Sequence, residues 1–446
     1  MLRNLCLSLL AVCCAVLASP AWAQQRVEAS LQGKAEAMKK SLEKKGYTVA
    51  PGVYMAVDLA QYYCDGTTDS CNANNFGAPY HGYAIPAPNG PPSTDNLFFR
   101  LRRDEAIVVV GPTPPTCRFY SYALFLFKRW DPLQNRVRKI FSTMGQPLNR
   151  FLLKTGGSDF GTSIVLTFTC DQKVDQAVRE AAKNAGFPGD VLNTYVVPSS
   201  ILQTNDALDQ TSDLMFIGQR EALVTGPPNA DDPIVFRVTP QTVTVAAQLK
   251  PFPAPGLRVR GTGTTEMDWT PAVETLRESI LAKNPGQTPQ EYTTVQYIEQ
   301  SPIAIQTWTN SLGDTSDAAY FATKENFKLS NDPGDFLIVY GVDHTKTGKS
   351  LYTNINVYTS CKECGVASVF SDDLNDTALD YLTGPLPFDA RKLFAYKVAR
   401  NCNGDPHCLQ LRTSDVCGQG AALDDDLFVA MRVYLEPKTK TGPSYT

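Results

Sequence analysis

Basic and aromatic side chains alternate along two predicted strands and could bind an anionic ligand. Alternate residues of a strand share a face, so Arg100 and Arg102 point the same way. Arg118, Tyr120 and Tyr122 share a face of the second strand. Because arginine binds carboxylate, sulfate and phosphate groups bidentately, the pattern predicts a site for an anionic organic small molecule. The alternative is that the arginines pair with neighbouring acids and the tyrosines pack in the core.

A later turn carries a candidate pair for proton transfer, Asp343 and His344. Histidine titrates near neutral pH and is the commonest general acid or base. A secreted, cofactor-independent hydrolase or lyase could hold a carboxylated or ester substrate with the arginines and transfer protons through His344 or a tyrosine. Whether the chain is an enzyme stays open, and binding is the favoured interpretation.

Other catalytic and cofactor motifs do not match the sequence. The segment 156–160 lacks the second glycine of a nucleophile elbow. Six residues separate Gly341 from Gly348-Lys349-Ser350, where a phosphate-binding loop requires four. With three histidines in the chain and no metal-ligand spacing, the sequence predicts neither a metal nor a cofactor.

Nine of the twelve cysteines follow residue 23, and an oxidising compartment would favour disulfides among them. Two pairs bracket polar turns and predict local bridges, Cys64 with Cys71 and Cys402 with Cys408. The remaining disulfide candidates are Cys117 and Cys170, and Cys417 is predicted to be the unpaired thiol. Cys361 and Cys364 follow a strand-like segment, which favours a structural role over redox chemistry or zinc binding.

The first 23 residues have the pattern of a signal peptide: Arg3, an apolar run, and small residues around Trp22. The apolar run is too short for a membrane anchor, and no later segment has the length of a membrane span. The pattern therefore predicts a secreted protein, periplasmic or extracellular, cleaved near Ala23. A formal net charge of −4 with scattered basic residues does not favour nucleic acid as a partner. The oligomeric state cannot be inferred from these residues.

Helices are few in the predicted secondary structure, and short β-branched and aromatic segments dominate. Amphipathic helices are predicted over 27–45, after the cap Asp171, and from Thr270 to about residue 283. Strands are predicted over 97–103, 106–111, 118–127, 164–170, 235–238 and 336–340. The predicted class is a β-rich α+β fold.

Two stretches more than 200 residues apart resemble each other. Residues 106–111 and 336–341 are both apolar runs ending in glycine, and each precedes an aromatic strand. Phe141-Ser142 and Phe370-Ser371 follow at comparable distances. The pattern predicts two diverged copies of one β unit, in domains 24–250 and 251–446; chance resemblance between hydrophobic hairpins is the alternative.

Overall fold

The computed structural model of the protein describes residues 30–88, 97–254, 265–298 and 300–435. The predicted signal peptide lies outside these ranges. The described residues form six α-helices and four sheets, which confirms the β-rich α+β class. None of the helices in these ranges is long and apolar enough to cross a membrane.

Two sheets are built from strands of the first half, residues 30–254. The β4 sheet has the spatial order β1 (Tyr47–Pro51), β11 (Ile234–Pro240), β4 (Ala106–Pro112), β8 (Ser163–Thr169) and β9 (Leu192–Val196). The β5 sheet has the order β2 (Val53–Val57), β3 (Tyr80–Ala84), β10 (Leu214–Val224), β5 (Cys117–Asp131) and β6 (Arg136–Thr143), with β7 (Leu148–Asn149) also paired to β5. Helices α1 (Leu31–Lys44) and α3 (Gln172–Asn184) pack on the β4 sheet, and α2 (Leu59–Cys64) follows β2.

Two further sheets are built from strands of the second half, residues 265–435. The β15 sheet has the order β12 (Thr294–Ile298), β13 (Ala318–Thr323), β19 (Leu427–Leu435), β15 (Ser350–Thr359) and β16 (Cys364–Phe370). The β14 sheet has three strands, β14 (Phe336–Val342), β17 (Leu393–Ala399) and β18 (Cys408–Gln410). Helices α4 (Thr270–Lys283), α5 (Gln300–Thr307) and α6 (Ser371–Leu374) complete the half. The predicted boundary at residue 250 falls between the last strand of the first half and the first strand of the second. That the two halves are separate domains stays a prediction.

Local sequence signals explain why most of these elements form. Asp171 caps α3 by accepting hydrogen bonds from the amides of Lys173 and Val174, as its position before an amphipathic run predicted. One predicted strand is wrong: residues 97–103 contribute only an isolated bridge between Phe99 and Met215. The reason lies in the turn that follows, where the Glu105 carboxylate accepts a hydrogen bond from the Arg102 amide and holds the backbone away from a ladder.

The strand orders of the two halves correspond position by position. The order β2-β3-β10-β5-β6 of the first half has the counterpart β12-β13-β19-β15-β16 in the second. The order β4-β8-β9 likewise has the counterpart β14-β17-β18, and the last pair is parallel in both sheets. The resembling segments 106–111 and 336–341 lie in β4 and β14. A gene duplication would produce this correspondence, but it stays a prediction.

Each half extends a segment over the other. In the first half, the amide of Cys71 donates to the carbonyl of Lys362, and the Asn74 side chain accepts from the amide of Gly365 at 2.8 Å. In the second half, the Ser301 hydroxyl accepts from the amide of Thr143 at 3.0 Å. These exchanged segments, 71–75 and 300–317, join the halves through hydrogen bonds from backbone amides to backbone carbonyls and to side chains.

The disulfide pattern confirms one predicted bridge and corrects the rest. Cys402–Cys408 is formed, whereas Cys64 pairs with Cys417 and Cys71 with Cys364. The predicted Cys64–Cys71 bridge is wrong because residues 71–75 lie against the second half, which places Cys71 beside Cys364. Cys117 and Cys170 are unpaired and buried, so they form no disulfide, and Cys417 is not the unpaired thiol. Cys361 is unpaired and exposed, and Cys364 has the predicted structural role.

Candidate functional site

A cavity of about 840 Å³ opens between the β14 sheet and the β15 sheet. We call it the β14 groove. Its floor is apolar and comes from the β15 sheet and the segment after β13: Phe321, Phe327, Leu329, Val429 and Met431. Its walls are β14, through Leu337 and Val339, and α4, through Ile280. A second cavity, of about 270 Å³, lies between α1 and the ends of β1 and β2.

The groove is open because β14 is an edge strand. In the first half, β4 lies between β8 and β11, and all seven of its residues are buried. In the second half, β14 pairs with β17 alone, and its residues 336–340 are only half-buried. Within the described residues no strand takes the position beside β14 that β11 takes beside β4. The unpaired edge of β14 therefore borders the cavity, while Leu337 and Val339 pack against a core on one side of the strand and Ile338 and Tyr340 against a core on the other.

Polar and charged side chains line the rim of the groove. Arg277 on α4 forms an ion pair with Glu291, whose carboxylate accepts from Nε at 2.8 Å and raises the pKa of Arg277. The Asp335 carboxylate, at the start of β14, accepts a hydrogen bond from the Ser330 amide at 2.7 Å. Burial against the rim, with Glu291 as the nearest acid, raises the pKa of the Tyr340 phenol. The arrangement combines an apolar floor with a few fixed polar groups, which is typical of ligand sites.

His344 is buried behind the groove and does not reach it directly. Its Nδ1 lies 3.0 Å and 3.2 Å from the two carboxylate oxygens of Glu266, and its ring stacks on Phe321 with centroids 5.4 Å apart. Both His344 and Glu266 are at most 1% exposed. Asp343 caps the following turn, accepting hydrogen bonds from the amides of Thr345 and Lys346. The predicted proton-transfer pair thus supports one wall of the groove and has no access to solvent.

The predicted arginines have separate partners within the protein. Arg102 is buried and holds both carboxylate oxygens of Asp104, at 2.9 Å and 3.3 Å. Arg118 is exposed and binds Asp372 of the second half, and Arg100 donates to the carbonyl of Ser212. The structure therefore does not bring these side chains to a shared ligand position. Their contacts match the alternative in which nearby acids neutralise them.

The predicted tyrosines face the interior of the first half. Tyr120 donates to the carbonyl of Asp159, and its phenol ring packs edge-on against Tyr122. Burial, with smaller contributions from neighbouring acids and tyrosines, raises the pKa of both phenols above its ordinary value. They share a face, as the alternation predicted, but that face is the core. Within the described ranges no group of three His, Cys, Asp or Glu side chains is placed to hold a metal ion.

The groove residues were not among the predicted site residues. The run 336–340 is as apolar as the corresponding run in β4, so its composition predicts a buried strand in both cases. What distinguishes β14 is the lack of a neighbouring strand among the described residues, a property of topology and not of the strand itself.

Comparisons with known proteins give no functional identification. No family model matches the sequence, and no curated protein matches it. The fold is similar to the crystal structure of an uncharacterized protein from Burkholderia cenocepacia, at a TM-score of 0.41 and 11% identity, over 93% of this chain and 87% of that one. It is also similar to a protein from Vibrio parahaemolyticus, at a TM-score of 0.34 and 10% identity, over 93% and 98% of the two chains.

Proposed function

We propose that this chain is a secreted binding protein that holds an elongated, mainly apolar ligand in the β14 groove. The observation that carries the proposal is an 840 Å³ cavity with an apolar floor beside a strand that has one paired edge. Phe321, Val429 and Met431 are at most 4% exposed, so the apolar surface that the cavity leaves open comes from half-buried residues such as Leu337 and Val339. Three disulfides support the secreted location, because such bonds persist in oxidising compartments.

The groove supports binding better than the two functions predicted from the sequence. An anionic ligand on the arginine face would have to displace Asp104 from Arg102, which is buried with it. A hydrolase or lyase would need His344 or a tyrosine to reach its substrate, and His344, Tyr120 and Tyr122 are at most 2% exposed. We therefore keep the binding function and assign it to the groove.

Titration with the neutral apolar fluorophore Nile red tests the proposal, because an anionic probe would be attracted to an introduced arginine. The native protein is expected to bind it saturably at one site. Val339→Arg should weaken binding at least about tenfold, because the substitution buries a charge in the apolar wall. Val245→Arg is the matched control: Val245 is 59% exposed and distant in sequence from the groove, so its variant should bind like the native protein.

A second variant keeps the test valid if Val339→Arg does not fold. Thr323→Arg places the same charge at the rim, at the half-buried end of β13. Circular dichroism and the melting temperature would show which variants are folded. Native-like fluorophore binding by a folded Val339→Arg or Thr323→Arg variant would contradict the proposal, as would the lack of saturable binding to the native protein.

A further inference from the structure

We propose that β14 binds an extended polypeptide segment of another protein as an added antiparallel strand. The segment would be apolar on both faces and carry one basic residue opposite Leu337. This inference rests on the proposed function, since the segment would occupy the β14 groove. The argument follows from the edge of β14, the counterpart strand in the first half, and the charge at the rim.

The backbone of β14 has one unused edge. All seven of its residues pair with β17, from Phe336 opposite Ala399 to Val342 opposite Leu393. In the described part of the chain, no backbone hydrogen bond joins residues 336–342 to any element other than β17. An edge of this kind is a template for a further strand, because its amides and carbonyls point outwards at regular spacing.

The first half shows how such an edge is covered. There β11 runs antiparallel to β4, with Arg237 opposite Ile107 and Ile234 opposite Val110. Gly111 of β4 corresponds to Gly341 of β14, since the two strands pair in the same way with β8 and β17. A strand added to β14 in the register of β11 would therefore place its fourth residue opposite Leu337.

The surroundings of the groove determine the composition of the added strand. One face of the strand would contact the β15 sheet through Phe321 and Met431, and the other would contact α4 through Ile280. A strand covered on both faces needs a nearly continuous apolar run, as in residues 234–238 of β11. An alternating polar strand would bury unpaired polar groups on one side.

The rim supplies a carboxylate for the basic residue. In the first half, Glu105 directly precedes β4 and binds the buried guanidinium of Arg237 through both carboxylate oxygens. Asp335 directly precedes β14, is half-buried, and forms no ion pair within the described residues. The two basic residues that line the groove are already paired, Arg277 with Glu291 and Lys328 with Asp426. Asp335 is thus left to receive a cation from the bound segment.

A synthetic peptide with the sequence of residues 233–240 is a suitable probe, because it copies β11. The Val235 carbonyl accepts from Gly52 on the β1 side, so the amides of Val235 and Arg237 face β1. Since amides alternate along a strand, those of Phe236 and Val238 face β4. N-methylation at the positions of Phe236 and Val238 removes the donors to the edge strand, and N-methylation at those of Val235 and Arg237 is the matched control.

Isothermal titration of the native protein with the three peptides separates strand pairing from apolar binding. The unmodified peptide should bind at one site. Methylation on the β14-facing positions should weaken it at least about tenfold, and methylation on the opposite positions should leave it within about threefold. Equal affinity of both methylated peptides would overturn strand addition while the groove remained a binding site. If the unmodified peptide fails to bind a protein that still binds the fluorophore, strand addition is likewise overturned and the groove remains a binding site.

A double-mutant cycle tests whether the Asp335 carboxylate contacts the basic residue of the bound segment. Asp335→Asn should weaken the arginine peptide about three- to tenfold, since it removes a partly exposed charge-assisted contact. The same peptide with glutamine in place of arginine should bind the native protein and the variant equally. An equal loss for both peptides would overturn the role of Asp335.

Two other occupants of the edge would give different results. Concentration-dependent dimerisation in sedimentation velocity that the peptide reverses would assign the edge to a second copy of this chain. Peptide binding only after removal of residues 436–446 would assign it to the chain's own C-terminal segment. Either result would overturn the proposal that the occupant is a segment of another protein.

Discussion

Within the described residues three cysteines are unpaired, and their surroundings differ. Cys117 and Cys170 are buried, and burial, together with the neighbouring carboxylates Glu221 and Asp171, raises the pKa of each thiol to about 12. Cys361 is exposed in the turn between β15 and β16. Because the thiolate is the reactive species, burial and a raised pKa both disfavour reaction at Cys117 and Cys170, whereas Cys361 is accessible.

We therefore expect the native protein to react with one equivalent of a disulfide-exchange reagent at pH 8. Cys361→Ser should abolish this reaction. Cys117 and Cys170 should react only after unfolding in denaturant, when their pKa values return to the ordinary range. Measuring released thionitrobenzoate before and after denaturation checks the prediction. Two or more fast equivalents in the native protein would show that a buried thiol is accessible.

The residue patterns correctly predicted which side chains share a face of a strand. They did not predict which distant residues those side chains contact. The alternation of Tyr120 and Tyr122 gave their common face, and Asp104 stood two residues from Arg102 as an available counter-ion. The partners of Cys64 and Cys71 lie about 300 residues away in sequence, and no local pattern specifies such pairs. The groove was missed for the same reason: it depends on which strands become neighbours.

At the level of elements, capping signals carried the most reliable information. Asp171 lies before α3 and uses both carboxylate oxygens: one accepts from the amides of Lys173 and Val174, and the other accepts from the amide of Lys250 at 2.6 Å. The cap therefore also fixes the segment that leaves the first half. Only the first of these contacts was predictable, since the second joins residues 79 positions apart.

Asp171→Ala should destabilise the protein more than loss of an ordinary cap does. The variant exposes two α3 amides and also leaves the Lys250 amide without its partner in a partly buried contact, which predicts a loss of about 2–3 kcal/mol in the free energy of unfolding. Asp58→Ala is the matched control, because Asp58 caps the short helix α2 through one exposed contact, to Gln61. Its expected cost is about 0.5–1 kcal/mol. Urea denaturation measures both, and equal costs would contradict the dual role of Asp171.

Over the whole molecule, covalent and polar contacts hold the halves together. Two of the three disulfides cross between the halves. In addition, each of the exchanged segments 71–75 and 300–317 forms backbone hydrogen bonds with the other half. The sequence predicted two units and a boundary near residue 250, because the resembling apolar runs repeat along the chain. It did not predict the exchange, since no local pattern in 71–75 or in 300–317, which includes α5, specifies a partner in the other half.

Two arginine–aspartate pairs between the halves allow the contribution of this interface to be measured. Arg220 in β10 and Asp317 form a buried pair at 2.6 Å, in which neither side chain is more than 6% exposed. Burial lowers the pKa of Arg220, but the Asp317 carboxylate outweighs it and raises that pKa above its ordinary value. Arg118 and Asp372 form the second pair, at 3.1 Å, and both side chains are largely in solvent.

Asp317→Asn should lower the free energy of unfolding by about 3–5 kcal/mol, because it leaves the Arg220 guanidinium buried without a counter-charge. Asp372→Asn makes the same chemical change in the exposed pair and should cost no more than about 1 kcal/mol. Urea denaturation followed by tryptophan fluorescence and by circular dichroism checks both values. If the halves unfold as one unit, both probes should shift together for Asp317→Asn. Equal costs for the two variants would show that burial of the interface pair contributes nothing to joining the halves.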